Sequence, residues 1–453
     1  MAVLNFRLLS RDSSDAYLAE GLADAITTRL SQVERLDVAS RTAARLGRTP
    51  RAAWVVSGTM LRQNARLVVS VELLRASTGR NAWAQRYERP DTAVLDLERD
   101  IAVAVASNML TNVTASERTA LGGSPTGNAE AYDRLLRGNF LLARRSLDQV
   151  SRAIQEYEAA ARLDPSLAAA HARIGLACAL WLDYSWDRAG RPAPDSVLAK
   201  GIAATTRALA RDSNSSDAWL SKAYMGMWAN PRTFEGVEDA FRRSLALDPR
   251  NAEAHHQYAD MLNIVWRRDE SVAHMRAALA IDPARSTSLR NLAMDVGASS
   301  LALLDSAIRL EPEQWLGWSM RAMVRLQRGD TAGALADAAT SRRLAPPEVE
   351  FVAAAQAGRI RLGAGDSVAA RAELQQALAL LAPSGPLSAR AGAVAELLFG
   401  LGRQDDATAI AERLQPRGAI LWFRIMEDRA DVTTLPERLR RVAEDSRPPW
   451  VGR

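Results

Sequence analysis

The residues best suited to metal or acid–base chemistry in this sequence are four histidines and one cysteine. His255 and His256 are adjacent and Asp260 follows, and such side chains are common ligands of transition metals. Consecutive residues on a helix point about 100° apart, so the two histidines cannot easily share one metal ion. Cys178 stands alone, which excludes an internal disulfide and a cysteine metal cluster. We therefore expect no metal site, and we expect Cys178 to be a core residue.

Glycine-rich stretches are the next candidates for chemistry. "FGLGRQDD" and "LGAGDS" contain closely spaced glycines, but neither follows a predicted strand or carries the lysine of a phosphate-binding loop. The sequence contains no Gly-x-Ser-x-Gly elbow, kinase loop set or paired acid constellation. We expect no catalytic residue and no cofactor, and hence a protein that is not an enzyme.

The length and charge of the chain exclude further classes of protein. With 453 residues the chain is too long for one ordinary core, which favours several domains or a repeat array. The net charge of the chain is +5. Because the arginines are interspersed with acidic residues and no long run of like charge occurs, we do not expect nucleic-acid binding. No apolar stretch approaches the roughly 18 residues of a transmembrane helix, and no leader is recognisable at Met1.

The spacing of prolines indicates a helical repeat. Pro249 and Pro283 are 283 − 249 = 34 residues apart, and Pro312 and Pro346 are 346 − 312 = 34 apart. Proline lacks an amide hydrogen and clashes with the preceding turn, so each helix must end near it. A period of 34 residues is typical of helix-turn-helix repeats.

Two positions before each proline are predicted to pack between helices. The residue five places before each proline is small. The residue eight places before each proline is usually larger and fills the gap on the neighbouring face. The small set is Ala160, Ser244, Ala278, Ala307 and Ser341, and the other set is Tyr157, Phe241, Met275, Leu304 and Ala338. Within repeats, Gly329 and Gly365 are predicted to end a helix, and Asp330 and Asp366 to cap the next one.

Residues 128–416 resemble the tetratricopeptide repeat family at the level of helix pairs. Trp219 and Trp318 match its aromatic position, and Gly175 matches its glycine four residues later in the repeat. The resemblance predicts an α-α superhelix of seven to eight helix pairs, with degenerate capping helices and a tail in residues 417–453. In that family the first helix of each pair lines a groove that holds an extended peptide or a partner helix.

By the family register, eight side chains point into this groove. Seven of them are our candidate partner-binding residues, since polar groups suit a peptide backbone and Tyr and Arg are common interface anchors. They are Tyr224, Met227, His256, Asp260, Asn263, Arg290 and Asn291. The alternative is that Tyr224 and Met227 merely pack, because such spacing is more often core.

A long insertion supplies one more candidate. "LDYSWDRAGRPAPDSVLAK" combines aromatic residues and prolines, and long loops of this kind often carry binding sites. Trp186 is therefore predicted to contact a partner. The alternative is that its ring fills a gap between helix pairs.

The first 115 residues have a different pattern. A small α+β domain is predicted from a strand at "MAVLNF", a helix at "AYLAEGLADAITTRLSQV", a short strand at "LDVAS", three strands between Ala52 and Arg89 and a last helix. These segments, above all the hairpin at Gly58 with Thr78, Gly79 and Trp83, resemble the TolB amino-terminal-like domain. In many bacterial proteins that domain precedes tetratricopeptide repeats, C-terminal to a serine/threonine kinase, an adenylate cyclase or a winged-helix regulator. The fold class expected overall is mainly α, a tetratricopeptide superhelix preceded by a small α+β domain.

Two functions remain open from these observations. The first is a non-catalytic scaffold that binds a peptide or protein partner. The second is the sensory or regulatory part of a signalling protein whose effector is missing or encoded separately, and the abrupt start at Met1 favours it. As written, the chain is expected in the cytoplasm, or outside it if an anchoring segment precedes Met1; the oligomeric state is left open.

Overall fold

In the computed structural model, the chain is mainly α: a superhelix of helix pairs preceded by a small α+β domain, which confirms the expected fold class. The structure describes residues 1–10, 13–39, 52–184, 194–230, 233–381, 387, 389–414 and 437. The predicted C-terminal cap at 417–453 lies outside the described residues except for position 437.

The α+β domain contains one five-stranded sheet. Its strands are β1 (Ala2–Val3), β2 (Arg7–Leu8), β3 (Trp54–Gln63), β4 (Arg66–Arg75) and β5 (Asn81–Pro90). β1 and β2 pair in parallel with β3, and β3, β4 and β5 form an antiparallel meander. The strand predicted at residues 1–6 is therefore shortened to Ala2–Val3, and β2 follows just after the predicted segment.

Helices α1 (Ala16–Ser31) and α2 (Val94–Met109) complete this domain. Alternate residues of β4 are buried in the same core as both helices, as expected of a strand with one covered face. The turn between β3 and β4 contains Asn64 and Ala65 with φ of 52° and 57°, the left-handed values that two-residue hairpins require.

Helix α3 (Ala115–Gly122) connects the domain to the repeats. Eight antiparallel pairs follow in the part of the chain that the structure describes. They are α4 (Ala129–Leu142) with α5 (Leu147–Leu163), α6 (Ala168–Tyr184) with α7 (Pro194–Arg211), α8 (Ser216–Ala229) with α9 (Val237–Leu247), α10 (Ala252–Ile264) with α11 (Arg268–Ile281), α12 (Ser286–Asp295) with α13 (Ser300–Leu310), α14 (Trp315–Gln327) with α15 (Thr331–Leu344), α16 (Glu350–Gly363) with α17 (Ser367–Leu380), and α18 (Gly392–Gly400) with α19 (Gln404–Ala411).

The predicted packing positions of the repeats are confirmed. All ten residues counted back from the prolines are buried, from Tyr157 at 0% exposed to Ala338 at 7%. Gly329 and Gly365 have φ of 81° and 88°. Asp330 and Asp366 accept hydrogen bonds from the backbone amides of Gly333 and Ala369, as helix caps do. Local sequence therefore determines where each helix ends and which face it buries.

The α+β domain is joined to the first pair through side chains of α1 and α4. The Tyr17 hydroxyl donates to Asp133 Oδ1 at 2.5 Å, and Arg137 lies over the Tyr17 ring. Beside them the Tyr132 hydroxyl donates to fully buried Glu98 at 2.8 Å. Burial raises the pKa of Glu98 to about 8, although the Tyr132 hydroxyl and the charge of Arg29 act in the opposite direction.

Gly175 allows the second and third pairs to approach closely. A Cβ added there would overlap the hydroxyl oxygens of Ser221 and Thr205, which are buried and lie 2.6 Å apart. Gly175→Ala should therefore lower the free energy of unfolding by about 1–3 kcal/mol through overpacking. Urea unfolding of the whole chain measures this. Gly122→Ala, where a Cβ meets nothing within 4 Å, is the control, and equal stabilities of the two variants would contradict the close approach.

Candidate interaction surface

The candidate residues that lie together are those of α10 and α12, the first helices of the fourth and fifth pairs. We call the surface formed by His256, Asp260, Asn263, Arg290 and Asn291 the α10–α12 face. On it Asn291 Nδ2 donates to Asp260 Oδ1 at 2.8 Å, and Asn263 Nδ2 donates to Asp295 Oδ2 at 3.0 Å. Two amides and two carboxylates thus alternate across the helix–helix boundary.

The exposure of this polar row is intermediate. Asp260, Asn263 and Asn291 are each partly exposed, and the Asp260 side chain retains 26% of its accessible surface. These hydrogen bonds orient the amide and carboxylate groups at a partly exposed surface.

His256 lies beneath this row and is nearly inaccessible. It is 5% exposed, with Nδ1 2.9 Å from Ser288 Oγ and Nε2 3.5 Å from Asp260 Oδ2. Burial and then the charge of Arg285 hold the pKa of His256 well below its ordinary value. The lowered pKa keeps the imidazole neutral, and its hydrogen-bond partner is the buried Ser288 hydroxyl.

The two adjacent histidines have different neighbours, as their helical spacing predicts. His255 Nδ1 lies 2.8 Å from His274 Nδ1, whereas His256 contacts Ser288. Among the described residues, no group of three or more His, Cys, Asp or Glu could hold a metal ion. Cys178 is fully buried, as expected, and burial raises the pKa of its thiol to about 12.

Tyr224 and Met227 are the candidates whose placement argues against partner contact. Both are 0% exposed, and the Tyr224 hydroxyl donates to the Asp183 carboxylate. Side chains without accessible surface cannot meet a partner in this conformation. For these two residues the structure favours the packing alternative. Trp186 lies outside the described residues, so its role stays a prediction.

Glu253, at the start of α10, is an important residue that our candidates did not include. Its carboxylate binds Arg145 Nη2 at 2.5 Å and also pairs with Arg285. Burial alone would raise the pKa of Glu253, but the two guanidinium groups outweigh it and hold that pKa well below its ordinary value. No local pattern identifies Arg145, which comes from the turn after α4.

Arg290 begins the row on α12 and is 6% exposed. Its Nη1 donates to Ser286 Oγ at 3.1 Å and to Glu311 Oε2 at 3.2 Å, while its Nε has no hydrogen-bond partner. Next to it lies a cavity of about 630 Å³, between the turn after α4 and the N-terminal ends of α12, α14 and α16.

Comparison with known proteins gives partial similarities. No protein-family model matches this chain. A curated protein of Rhizobium meliloti, provisionally named adenylate cyclase 3, is 26% identical over 215 residues, which are 45% of this chain and 36% of that protein. The match thus spans about a third of that protein's length.

Solved structures of helical repeat proteins are also similar. Yeast Tom70 has a TM-score of 0.40 at 14% identity, with 79% of each chain covered. Pseudomonas aeruginosa PilF has a TM-score of 0.38 at 18% identity, over 49% of this chain and 94% of PilF. YrrB, a TPR protein with an unusual peptide-binding site, has a TM-score of 0.31 at 16% identity, over 39% of this chain and 91% of YrrB. These similarities are too low to transfer a function to this chain.

Proposed function

We propose that this chain is a non-catalytic interaction scaffold that binds an extended peptide or a protein segment on the α10–α12 face. The observation that carries the proposal is the row of partly exposed side chains at Asp260, Asn263 and Asn291. It is oriented by the hydrogen bonds that Asn291 donates to Asp260 and Asn263 donates to Asp295. Groups that are already oriented lose little conformational entropy when a peptide backbone binds them.

No helix among the described residues is long and apolar enough to cross a bilayer.

We further propose that residues 1–115 form a TolB amino-terminal-like domain and that residues 128–416 are its tetratricopeptide partner. The order of strands and helices and the packing of α1 on α4 support this proposal. The alternative function is the regulatory part of a bacterial signalling protein, but the match to the Rhizobium meliloti protein, at 26% identity over 36% of its length, does not favour it. An endogenous protein heavier than these 453 residues would support that alternative.

Peptide binding can be tested with a random 12-residue peptide library selected on the whole chain. We expect selected peptides to bind with micromolar Kd, and Asp260→Ala to weaken that binding at least tenfold, about 1.4 kcal/mol, because a half-buried carboxylate no longer accepts from the peptide backbone. Fluorescence anisotropy with labelled peptide measures the Kd.

The control is Asp239→Ala on α9, where the side chain is 86% exposed and pairs only loosely with Arg242 at 3.7 Å. This variant should bind like the wild type. Failure of the library to yield a binder, or equal affinities of the two variants, would refute the α10–α12 face as the binding site.

A further inference from the structure

The outer edge of strand β5 has no partner strand among the described residues. β5 is the last strand of the sheet and pairs with β4 on one side only. Ala84, Arg86 and Glu88 are exposed along it. The backbone of an unpaired edge strand can form hydrogen bonds with a further strand, so this edge is a candidate interaction surface.

The register of the sheet shows which backbone groups of β5 point outward. The Asp91 amide donates to the Ala65 carbonyl of the β3–β4 turn at 2.9 Å, so position 91 faces β4. Successive residues of an antiparallel strand alternate in the direction of their amides and carbonyls. The even positions 84, 86 and 88 therefore direct these groups away from β4. Pro90 is the next outward position, and it has no amide hydrogen to donate.

Two opposite charges lie on this outward row. Glu88 binds Arg66 of β4 at 2.8 Å, and both side chains are about half exposed. Arg86 forms no ion pair within the part of the chain that the structure describes. Charged side chains usually protect an edge by repelling a second strand. Because this edge carries both signs in alternate positions, it can be complementary to a copy of itself.

One two-fold register places these unlike charges opposite each other. In an antiparallel pair of identical strands, the residue on the two-fold axis faces its own copy. With Arg86 or Glu88 on the axis, like charges would face each other, which destabilises a strand pair. With Tyr87 on the axis, Arg86 of each copy faces Glu88 of the other, and Ala84 faces Pro90.

The helix-covered face of β5 also has room for a further strand. Gln85 lies opposite buried Val71 of β4 on that face, yet Gln85 itself is exposed. The helices therefore leave the sheet open at this edge. In the register with Tyr87 on the axis, Gln85 of one copy faces Arg89 of the other, a pair without charge repulsion.

We propose that this chain forms a two-fold symmetric dimer in which β5 pairs antiparallel with β5 of a second copy, with Tyr87 on the axis. The two sheets then become one continuous sheet, and Arg86 of each copy forms an ion pair with Glu88 of the other. The surface belongs to the α+β domain and requires no residue of the α10–α12 face. A single strand edge buries little area, so the dimer is weak, with a Kd of about 10–100 µM.

Sedimentation equilibrium of the whole chain over a range of concentrations tests this dimer. We expect the average mass to rise from 49.2 kDa toward twice that value as the concentration increases. Arg86→Glu should raise the dimer Kd at least tenfold, because each of the two symmetric ion pairs becomes a repulsion. Arg80→Glu is the matched control, since Arg80 is exposed in the turn before β5 and lies outside the paired segment.

A mixture of two variants tests the register itself. Glu88→Arg alone should weaken the dimer as Arg86→Glu does, since arginine then faces arginine. An equimolar mixture of Arg86→Glu and Glu88→Arg chains should recover dimers of near wild-type affinity, because both facing positions again carry unlike charges. Recovery in the mixture also shows that the two variants are folded.

Ala84→Pro tests the backbone pairing without changing any charge. Proline is tolerated at outward positions of an edge strand, and here it removes an outward amide but no hydrogen bond to β4. This variant should weaken the dimer at least tenfold while the circular dichroism spectrum stays that of the wild type. A wild-type chain that remains monomeric at high concentration, a dimer insensitive to Arg86→Glu, or a mixture that fails to recover would overturn the proposal.

Discussion

Glu253→Gln should lower the free energy of unfolding by about 3 kcal/mol, near the lower end of the range for breaking a buried ion pair. The side chains of Glu253, Arg145 and Arg285 are 16%, 27% and 13% exposed, so the variant leaves two largely buried guanidinium groups without their shared carboxylate. Because Arg145 lies 108 residues before Glu253, the loss also releases the turn after α4 from α10.

The pH dependence of this loss follows from the depressed pKa of Glu253. Its stabilising contribution is complete above the ordinary glutamate value of 4.5 and disappears as the pH falls through the lower folded-state value. The stability difference between wild type and Glu253→Gln should therefore be constant from pH 7 to about 5 and shrink below pH 4. Urea unfolding followed by circular dichroism at several pH values measures it.

Two further variants make this test specific. Glu235→Gln, at an exposed glutamate between α8 and α9, should leave stability within about 0.5 kcal/mol of wild type. In an Arg145→Gln background, Glu253→Gln should cost less than in the wild type, since one of the two guanidinium groups that pair with Glu253 is already absent. Strictly additive losses would show that the two side chains are not coupled.

The repeat array was predictable from sequence because its determinants are local. Proline positions, small residues five places earlier and the Gly-Asp turns specify helix ends within one 34-residue unit. Ala278 and Asp366 therefore occupy the predicted environments. The α+β domain was predictable for a similar reason, since alternation along β4 depends only on neighbouring residues.

The candidate site was only partly predictable because it depends on contacts between distant repeats. The register identified Asp260 and Asn291, which do meet at 2.8 Å. It could not show that Arg145 reaches Glu253, because no sequence period connects them. Nor could it separate an inward side chain that stays exposed from one that becomes buried, which is the difference between Asp260 and Tyr224.

Tyr224→Ala should lower the free energy of unfolding by about 3–5 kcal/mol, the usual cost of deleting a buried aromatic ring. Tyr224 is among the largest fully buried side chains, and its hydroxyl donates to Asp183 at the end of α6. The deletion therefore removes ring contacts within the array's core as well as a hydrogen bond to a carboxylate. Thermal and urea unfolding of the whole chain measure the loss.

Tyr224→Phe is the matched variant, since it keeps the ring and removes only the hydroxyl. It should cost about 1.5–3 kcal/mol, the contribution of a hydrogen bond to a charged group. If Tyr224 were instead a partner-contacting groove residue, alanine would cost less than about 1 kcal/mol in stability and would abolish peptide binding. A large stability loss in Tyr224→Ala and a smaller one in Tyr224→Phe would place the ring in the core. Partner contact would then be left to the polar row on α10 and α12.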